Sequence, residues 1–539
     1  MSAARDRAGW AAHLPPGVDP GTVDLLAGGS LARAWVARLR ARPHAPVVHT
    51  GPTGWVSGEE LLARTVAFAD LLAGLGVAAG DRVVLSAEAS RDLVAFHIAA
   101  LRLGAVVVPA NTAYGAEELG HLLVDADPAA VVTDRPERAA GWVDAAGRRP
   151  ALVALRAGGP DVTPGDRAPV GAVLDRAGPA DPALICYTSG TTGRPKGAVL
   201  SHGNCLASAE ALRLAWRWTE TDRLILALPL FHMHGLGVGV HGTLLAGASM
   251  VLLTRFDPDA VFDAVAAHRA TLFFGVPTMY SRLAASPRLA ELAALRLCVS
   301  GSAPLDPALA ARVTAGSGQA VLERYGMTET LMNASNPYDG PRRAGTVGLL
   351  LPGVELRLAA DGEIELRGPN VFGGYWRNPE ATAAAFDGGW FRTGDVGAVA
   401  PDGYLSIVGR TKELIISGGF NVYPREVEEV LLRHPAVREA AVVGVADPEW
   451  GELVTAHIVL DAPATDEELA AHCAALLAPY KRPRRFRRVD SLPRNALGKV
   501  RRDSLTPTLA RPDPVDASTD ASTDASTDGP PARQLTPPP

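Results

Sequence analysis

Hydrophobic and polar positions run in two rhythms along the first 180 residues. Residues 59–75 and 92–103 space their apolar side chains three and four apart, the period of a helix with one buried face. Residues 82–86, 106–109 and 130–133 are short β-branched runs that read as buried strands. Alternation of the two types predicts an α/β architecture of packed sheets. A second strand–helix series spans 223–324, with a strand at 295–299. Over 346–366 the pattern shortens into strands with turn signals: 354–358, then Asp361-Gly362, then 363–366, which reads as a hairpin in a small β unit. Around Gly409 the character changes again. Helix 424–433, strands 437–445 and 454–459, and helix 466–477 predict a smaller α+β domain at the C-terminal end. From Pro512 onward three copies of Ala-Ser-Thr-Asp precede a Pro-rich end, so 507–539 is expected to be a disordered tail.

Composition narrows the class. A length of 539 residues predicts at least two domains, and 47% apolar residues suffice for a large core. The net charge of −6 argues against a general nucleic-acid binder. Cys186, Cys205, Cys298 and Cys473 are scattered with no Cys-x-x-Cys pair, which fits a reducing, cytoplasmic location better than a disulfide or zinc framework. Residues 1–16 lack the apolar core of a secretory signal. The longest apolar region, 224–253, is interrupted by Pro229, His232, His234 and His241, so it reads as protein core rather than a membrane span.

The most informative stretch is Tyr187-Thr188-Ser189-Gly190-Thr191-Thr192-Gly193-Arg194-Pro195-Lys196-Gly197, after the strand-like run 183–186. Glycines let backbone N–H groups close on phosphate oxygens, the hydroxyls add donors, and Lys196 adds charge. The order is not that of a Walker A loop. Further stretches carry chemistry less specifically. Ser300-Gly301-Ser302-Ala303-Pro304 can admit a flat ring against its backbone, or be a plain strand-to-helix turn. In Tyr325-Gly326-Met327-Thr328-Glu329, an aromatic can stack on a base, Thr328 can bond a phosphate, and Glu329 can help hold Mg²⁺; Thr328 could instead cap a helix. Asp395 suits two hydroxyls as an acceptor, or caps a turn.

Together these stretches resemble the adenylate-forming superfamily of acyl-CoA synthetases, adenylation domains and luciferases, in matching order between about residue 187 and residue 502. The resemblance implies a two-step ligase. A carboxylate attacks the α-phosphorus of ATP to give an acyl-adenylate and pyrophosphate, and a thiol then displaces AMP. It implies a large domain over 1–408, a hinge over 409–412 centred on Lys412, and a mobile lid over 413–506. It implies nucleotide contacts from Thr188, Ser189, Gly190, Thr191, Thr192, Gly193, Lys196, Ser302, Ala303, Pro304, Tyr325, Gly326, Met327, Thr328, Asp395 and Arg410. Thr188 and Glu329 would serve ATP-bound Mg²⁺, and Lys499, in Pro493-Arg494-Asn495-Ala496-Leu497-Gly498-Lys499, would bridge carboxylate and α-phosphate. CoA would meet Gly418, Gly419, Phe420 and Lys481; the basic run 480–488 could also be a solvated face. A separate acyl-carrier protein, or a lysine-acetylating regulator acting at Lys499, are partners the resemblance allows.

For the acid, His232, Ser300, Gly301 and Met327 fall at the expected acyl pocket, and 323–348 is similar to malonyl-CoA synthetases over a long span. Arg282 is the candidate clamp for a second carboxylate, because a guanidinium fork takes two oxygens; the alternative on residue type alone is that it faces solvent from a helix. Some malonate-activating relatives carry another arginine near the equivalent of 244–249, and this chain has none there. The expectation is a malonyl-CoA synthetase, with methylmalonate as a further substrate. The alternatives are a CoA ligase for another short-chain or aryl acid, or an enzyme that loads a separate carrier protein.

Overall fold

The computed structural model describes residues 10–145, 150–156, 159–160, 171–188, 195–448, 450–495 and 498–506. The phosphate-loop residues Ser189, Gly190, Thr191, Thr192 and Gly193 and the tail at 507–539 lie outside the described residues.

Two large sheets form the N-terminal domain. In the first, strands Pro46–Thr50, Ser249–Leu252, Arg223–Leu226, Leu272–Gly275, Leu297–Ser300 and Leu322–Met327 run parallel. The second has Arg82–Ser86 between Val106–Pro109 and Ala130–Thr133, all parallel. Most of these runs have apolar centres because helices cover parallel sheets on both faces, whereas Leu322–Met327 carries the buried Glu323 and Arg324. Pro182–Thr188 joins this second sheet and pairs antiparallel with Lys196–Ser201, so the two ends of the phosphate loop are neighbouring strands of one sheet. Helices Gly58–Gly74 and Arg91–Leu103 follow the predicted periodicity, and the first starts with a capping box from Ser57 and Glu60. The predicted hairpin is Glu355–Leu358 paired with Glu363–Arg367, in a small sheet with the long strand Trp390–Val399.

The C-terminal domain has its own five-stranded sheet and its own apolar core around Val427, Leu431, Val454, Ile458 and Leu469. Helix Pro424–Leu431 and strands Val437–Asp447 and Gly451–Leu460 match the predicted order, as does helix Asp466–Leu476. Among the described residues, no helix is long and apolar enough to cross a membrane. All four cysteines are buried and free.

Candidate active site

The C-terminal ends of the parallel strands deliver the site. Strand Leu297–Ser300 ends at Ser300, and the chain bends through Gly301 and Ser302. Ser302 holds a left-handed φ of 70°, an uncommon backbone for serine that its setting must enforce. Its Oγ lies 3.3 Å from His234 Nδ1. His234 begins a π-helical segment, His234–Val240, and its N–H donates to His232 Nδ1 at 3.2 Å. Burial pushes His232 down to about 4, with Arg324 adding repulsion, so the ring is neutral at physiological pH.

The next strand, Leu322–Met327, supplies a residue that sequence reasoning missed. Arg324 is 3% exposed, yet among the described residues its Nε and Nη2 have no hydrogen-bond partner. Its guanidinium lies over Gly301, where a Cβ would come within 2.5 Å of Nε, so only glycine leaves it room. Burial alone pushes it down to about 9, still protonated at neutral pH. A buried cation without an anion is costly. The available signal was a charged Glu-Arg pair inside a strand that sits mid-sheet. Its neighbour Glu323 accepts from Leu305 N–H at 3.0 Å and is pushed up to about 7, mainly by burial.

Arg282, the predicted clamp, is not part of this group. Helix Pro277–Ala284 buries Tyr280 and Leu283 in the core, which turns Arg282 outward, exposed and stacked 4.9 Å from the Phe256 ring centroid. Reading Arg282 as a buried clamp is therefore corrected: helix phase assigns that face to solvent.

Asp395 is buried, accepts from Tyr325 Oη at 2.6 Å and pairs with Arg410 Nε at 2.7 Å. Lys499 is half-buried beside Arg410, Glu413 and Asp395; burial first, then Arg410, lowers its pKa. The lysine loop abuts the large domain, since a Cβ on Gly498 would come within 2.9 Å of Thr278 Oγ1. Thr411 Oγ1 donates to Gly394 O at 3.0 Å, and the adjacent Lys412 is exposed in the 3-10 turn Thr411–Glu413.

Thr328 lies in the turn between antiparallel strands Leu322–Met327 and Leu331–Ser335, so it caps no helix. Ala303 and Met327 are partly buried and Pro304 exposed, while Gly326 packs so closely on Leu331 O that a Cβ would come within 2.1 Å. Glu329 is buried, accepts from Tyr375 Oη at 3.1 Å and is raised mainly by burial. Thr188 Oγ1 donates to Lys196 O at 3.4 Å. Among the described residues no cluster of three or more His, Cys, Asp or Glu could hold a metal alone. A buried carboxylate with a hydroxyl donor and, among the described residues, no ion pair fits a cation that arrives on phosphates.

The predicted CoA residues stand apart from this group. Gly418, Gly419 and Phe420 are exposed at the turn between strands Ile415–Ser417 and Phe420–Val422, with Phe420 stacked on Tyr480 at 4.7 Å. Lys481 is paired with Glu426 at 2.7 Å.

Lys196 and Glu329 thus meet on Tyr375, and Lys499 lies beside the Asp395–Arg410 pair. The chain matches the AMP-binding enzyme family over residues 35–376 and the AMP-binding enzyme C-terminal domain over 426–499. The chain belongs to the AMP-binding enzyme family. It is similar to a feruloyl-CoA synthase from Amycolatopsis sp, 40% identical over 86% of this chain and 96% of the relative. A malonate–CoA ligase of Arabidopsis thaliana is 36% identical over 81% of this chain and 79% of the relative. The crystal structure of ATP-bound MatB from Rhodopseudomonas palustris superposes with a TM-score of 0.83 at 42% identity, covering 88% of this chain and 98% of that one. Within the family the chain is an AMP-forming acyl-CoA synthetase, an acid–thiol ligase.

Proposed function

We propose that this AMP-binding enzyme is a malonate–CoA ligase, converting ATP, malonate and CoA to malonyl-CoA, AMP and pyrophosphate. The observation that carries the acid is Arg324. It is a buried, protonated guanidinium with unpartnered Nε and Nη2, over Gly301 and beside the neutral His232 and His234. Malonate offers one carboxylate to ATP and keeps a second one, charged, for this fork. The similarity to a feruloyl-CoA synthase favours an aryl acid as a second reading. A neutral ring would leave the Arg324 charge buried and unpaired, which costs several kcal/mol and disfavours that reading.

In the first half-reaction, Lys196, Thr188 and the adjoining loop take the ATP phosphates, and Tyr325 with Ala303 borders the adenine. Asp395 and Arg410 meet the ribose. Thr188 and Glu329 would hold the phosphate-bound Mg²⁺, which when bound neutralises charge on the phosphates. Ser300, Gly301, Met327 and His232 shape a short acyl pocket. Lys499 bridges the attacking carboxylate and the α-phosphate, which aligns the reactants and offsets charge building on the phosphoryl oxygens. In the second half-reaction the lid turns about Lys412. Lys499 leaves, and Gly418, Gly419, Phe420 and Lys481 come to the thiol's path.

A pyrophosphate-release panel tests this reading. Malonate, methylmalonate, butyrate and ferulate are compared with and without CoA. Malonate-dependent, CoA-dependent turnover supports it. Turnover with ferulate alone overturns the acid, and turnover whose acyl group passes only to a carrier protein overturns the acceptor.

A further inference from the structure

Two charged groups read as phosphate-end residues, Lys196 and Glu329, lie 133 positions apart in the chain (329 − 196) and meet on one side chain that sequence reasoning did not single out. Tyr375 Oη donates to Glu329 Oε1 at 3.1 Å, and Lys196 Nζ stands 5.3 Å from the centroid of the Tyr375 ring. One tyrosine thus satisfies a cation with its ring face and an anion with its hydroxyl. Among the described residues neither Lys196 nor Glu329 forms an ion pair.

The ring is firmly held. Strand Gly374–Tyr375 pairs antiparallel with Lys196–Ser201, with Tyr375 opposite Ala198. Tyr375 N–H donates to Thr382 Oγ1 at 2.9 Å, and Trp376 N–H donates to Gly197 O at 2.7 Å. Phe372 packs edge-on against the ring at 4.9 Å, and its own N–H donates to Glu329 O at 2.8 Å. The same short segment therefore bonds the backbone of Glu329 and that of Gly197, next to Lys196.

We propose that Tyr375 is a positioning residue that keeps Lys196 and Glu329 apart. Glu329 is buried, so its attraction for a nearby ammonium is weakly screened. Lysine's flexible stem lets it reach. A direct pair would neutralise both groups and close the space where ATP phosphates must enter. The interposed ring blocks that collapse and leaves each charge available. This rests on the ligase reading above.

The test is metal-free ATP binding, measured by calorimetry in the presence of a chelator, on the full chain. Tyr375→Leu removes the ring and is expected to weaken ATP about thirtyfold, equivalent to ~2 kcal/mol. Tyr375→Phe keeps the ring and should stay within about threefold of wild type. The decisive variant is Tyr375→Leu with Glu329→Gln, in which the pair cannot form. Compared with Glu329→Gln alone, the double variant should lose little affinity, whereas mere structural damage at Tyr375 would cost the same roughly thirtyfold in either background. Equal binding by wild type and Tyr375→Leu, or an undiminished loss in the Glu329→Gln background, overturns the spacer role alone. A wild-type protein that binds no ATP overturns the ligase reading and this proposal with it. A Tyr375→Leu protein that fails to fold leaves Tyr375→Phe to decide: loss of affinity well beyond threefold overturns the role of the ring.

Discussion

Replacing Arg324 by Met exchanges a buried cation for an apolar chain of similar length. Lowering a guanidinium from its ordinary value to about 9 corresponds to ~5 kcal/mol set against the buried charge, an upper bound on what its removal returns. Some of that is lost to imperfect packing of Met against Gly301. The ligand-free variant is therefore expected to be more stable than wild type by about 1–3 kcal/mol, a rise in Tm of about 2–6 °C. Malonate should suffer in the opposite sense. Its distal carboxylate would enter a pocket with no cation, at a cost of about 3–5 kcal/mol, so kcat/KM should fall by about 10² to 10³ or more. Butyrate, which lacks the second charge, should be used as well or better. The assay is steady-state pyrophosphate release with both acids, beside thermal unfolding without ligand. A variant that is destabilised and loses both acids equally would mark Arg324 as structural and refute the reasoning.

Lys499→Ala should lose acyl-adenylate formation almost completely while still making thioester from supplied acyl-adenylate and CoA; equal loss of both half-reactions would remove that division. Lys412→Pro, which fixes φ at the hinge turn, should spare adenylation and suppress thioester formation; normal rates in both steps would put the hinge elsewhere. Arg282→Met should change malonate kcat/KM by less than about threefold, because its guanidinium is spent on Phe256 at the surface; a loss matching that of Arg324→Met would show that Arg282 swings into the pocket. Glu323 is pushed up to about 7 from an ordinary value of 4.5, so its contribution to stability is full below 4.5 and lost as pH rises through 7. Glu323→Gln, which still accepts from Leu305 N–H, should raise Tm at pH 8 and leave it nearly unchanged at pH 4.5; equal shifts at both would contradict this.

Strands Arg82–Ser86, Val106–Pro109 and Ala130–Thr133 were legible to the residue, because a strand buried on both faces must be apolar along its length. The C-terminal helices were legible because their apolar positions repeat with helical period and both begin at clear start signals, Pro424 and the Thr465 cap. Other features depend on tertiary contacts that no local pattern carries. The long strand Trp390–Val399 mixes Arg392, Thr393, Gly394 and Asp395 among apolar residues, since it pairs on both edges and also supplies the site. Thr328 could have been a phosphate-bonding residue or a helix cap, and only the sheet reveals that the chain there is a strand turn, with Gly326 packed on Leu331. Arg282 and Arg324 are the sharpest case. Arg282 follows a serine in a helix and Arg324 follows a glutamate in a strand, and only helix phase in one and strand register in the other decide which is exposed and which buried.

The central claim is that Arg324 selects an acid with a second negative charge. Its most direct test is a competition: purified enzyme, ATP, Mg²⁺ and CoA with equal concentrations of malonate, butyrate and ferulate, and the thioesters resolved by mass spectrometry at early times. The account predicts malonyl-CoA in excess of each other product by about 10² or more, as expected from the cost of leaving a buried cation unpaired. Feruloyl-CoA or butyryl-CoA as the main product would contradict it.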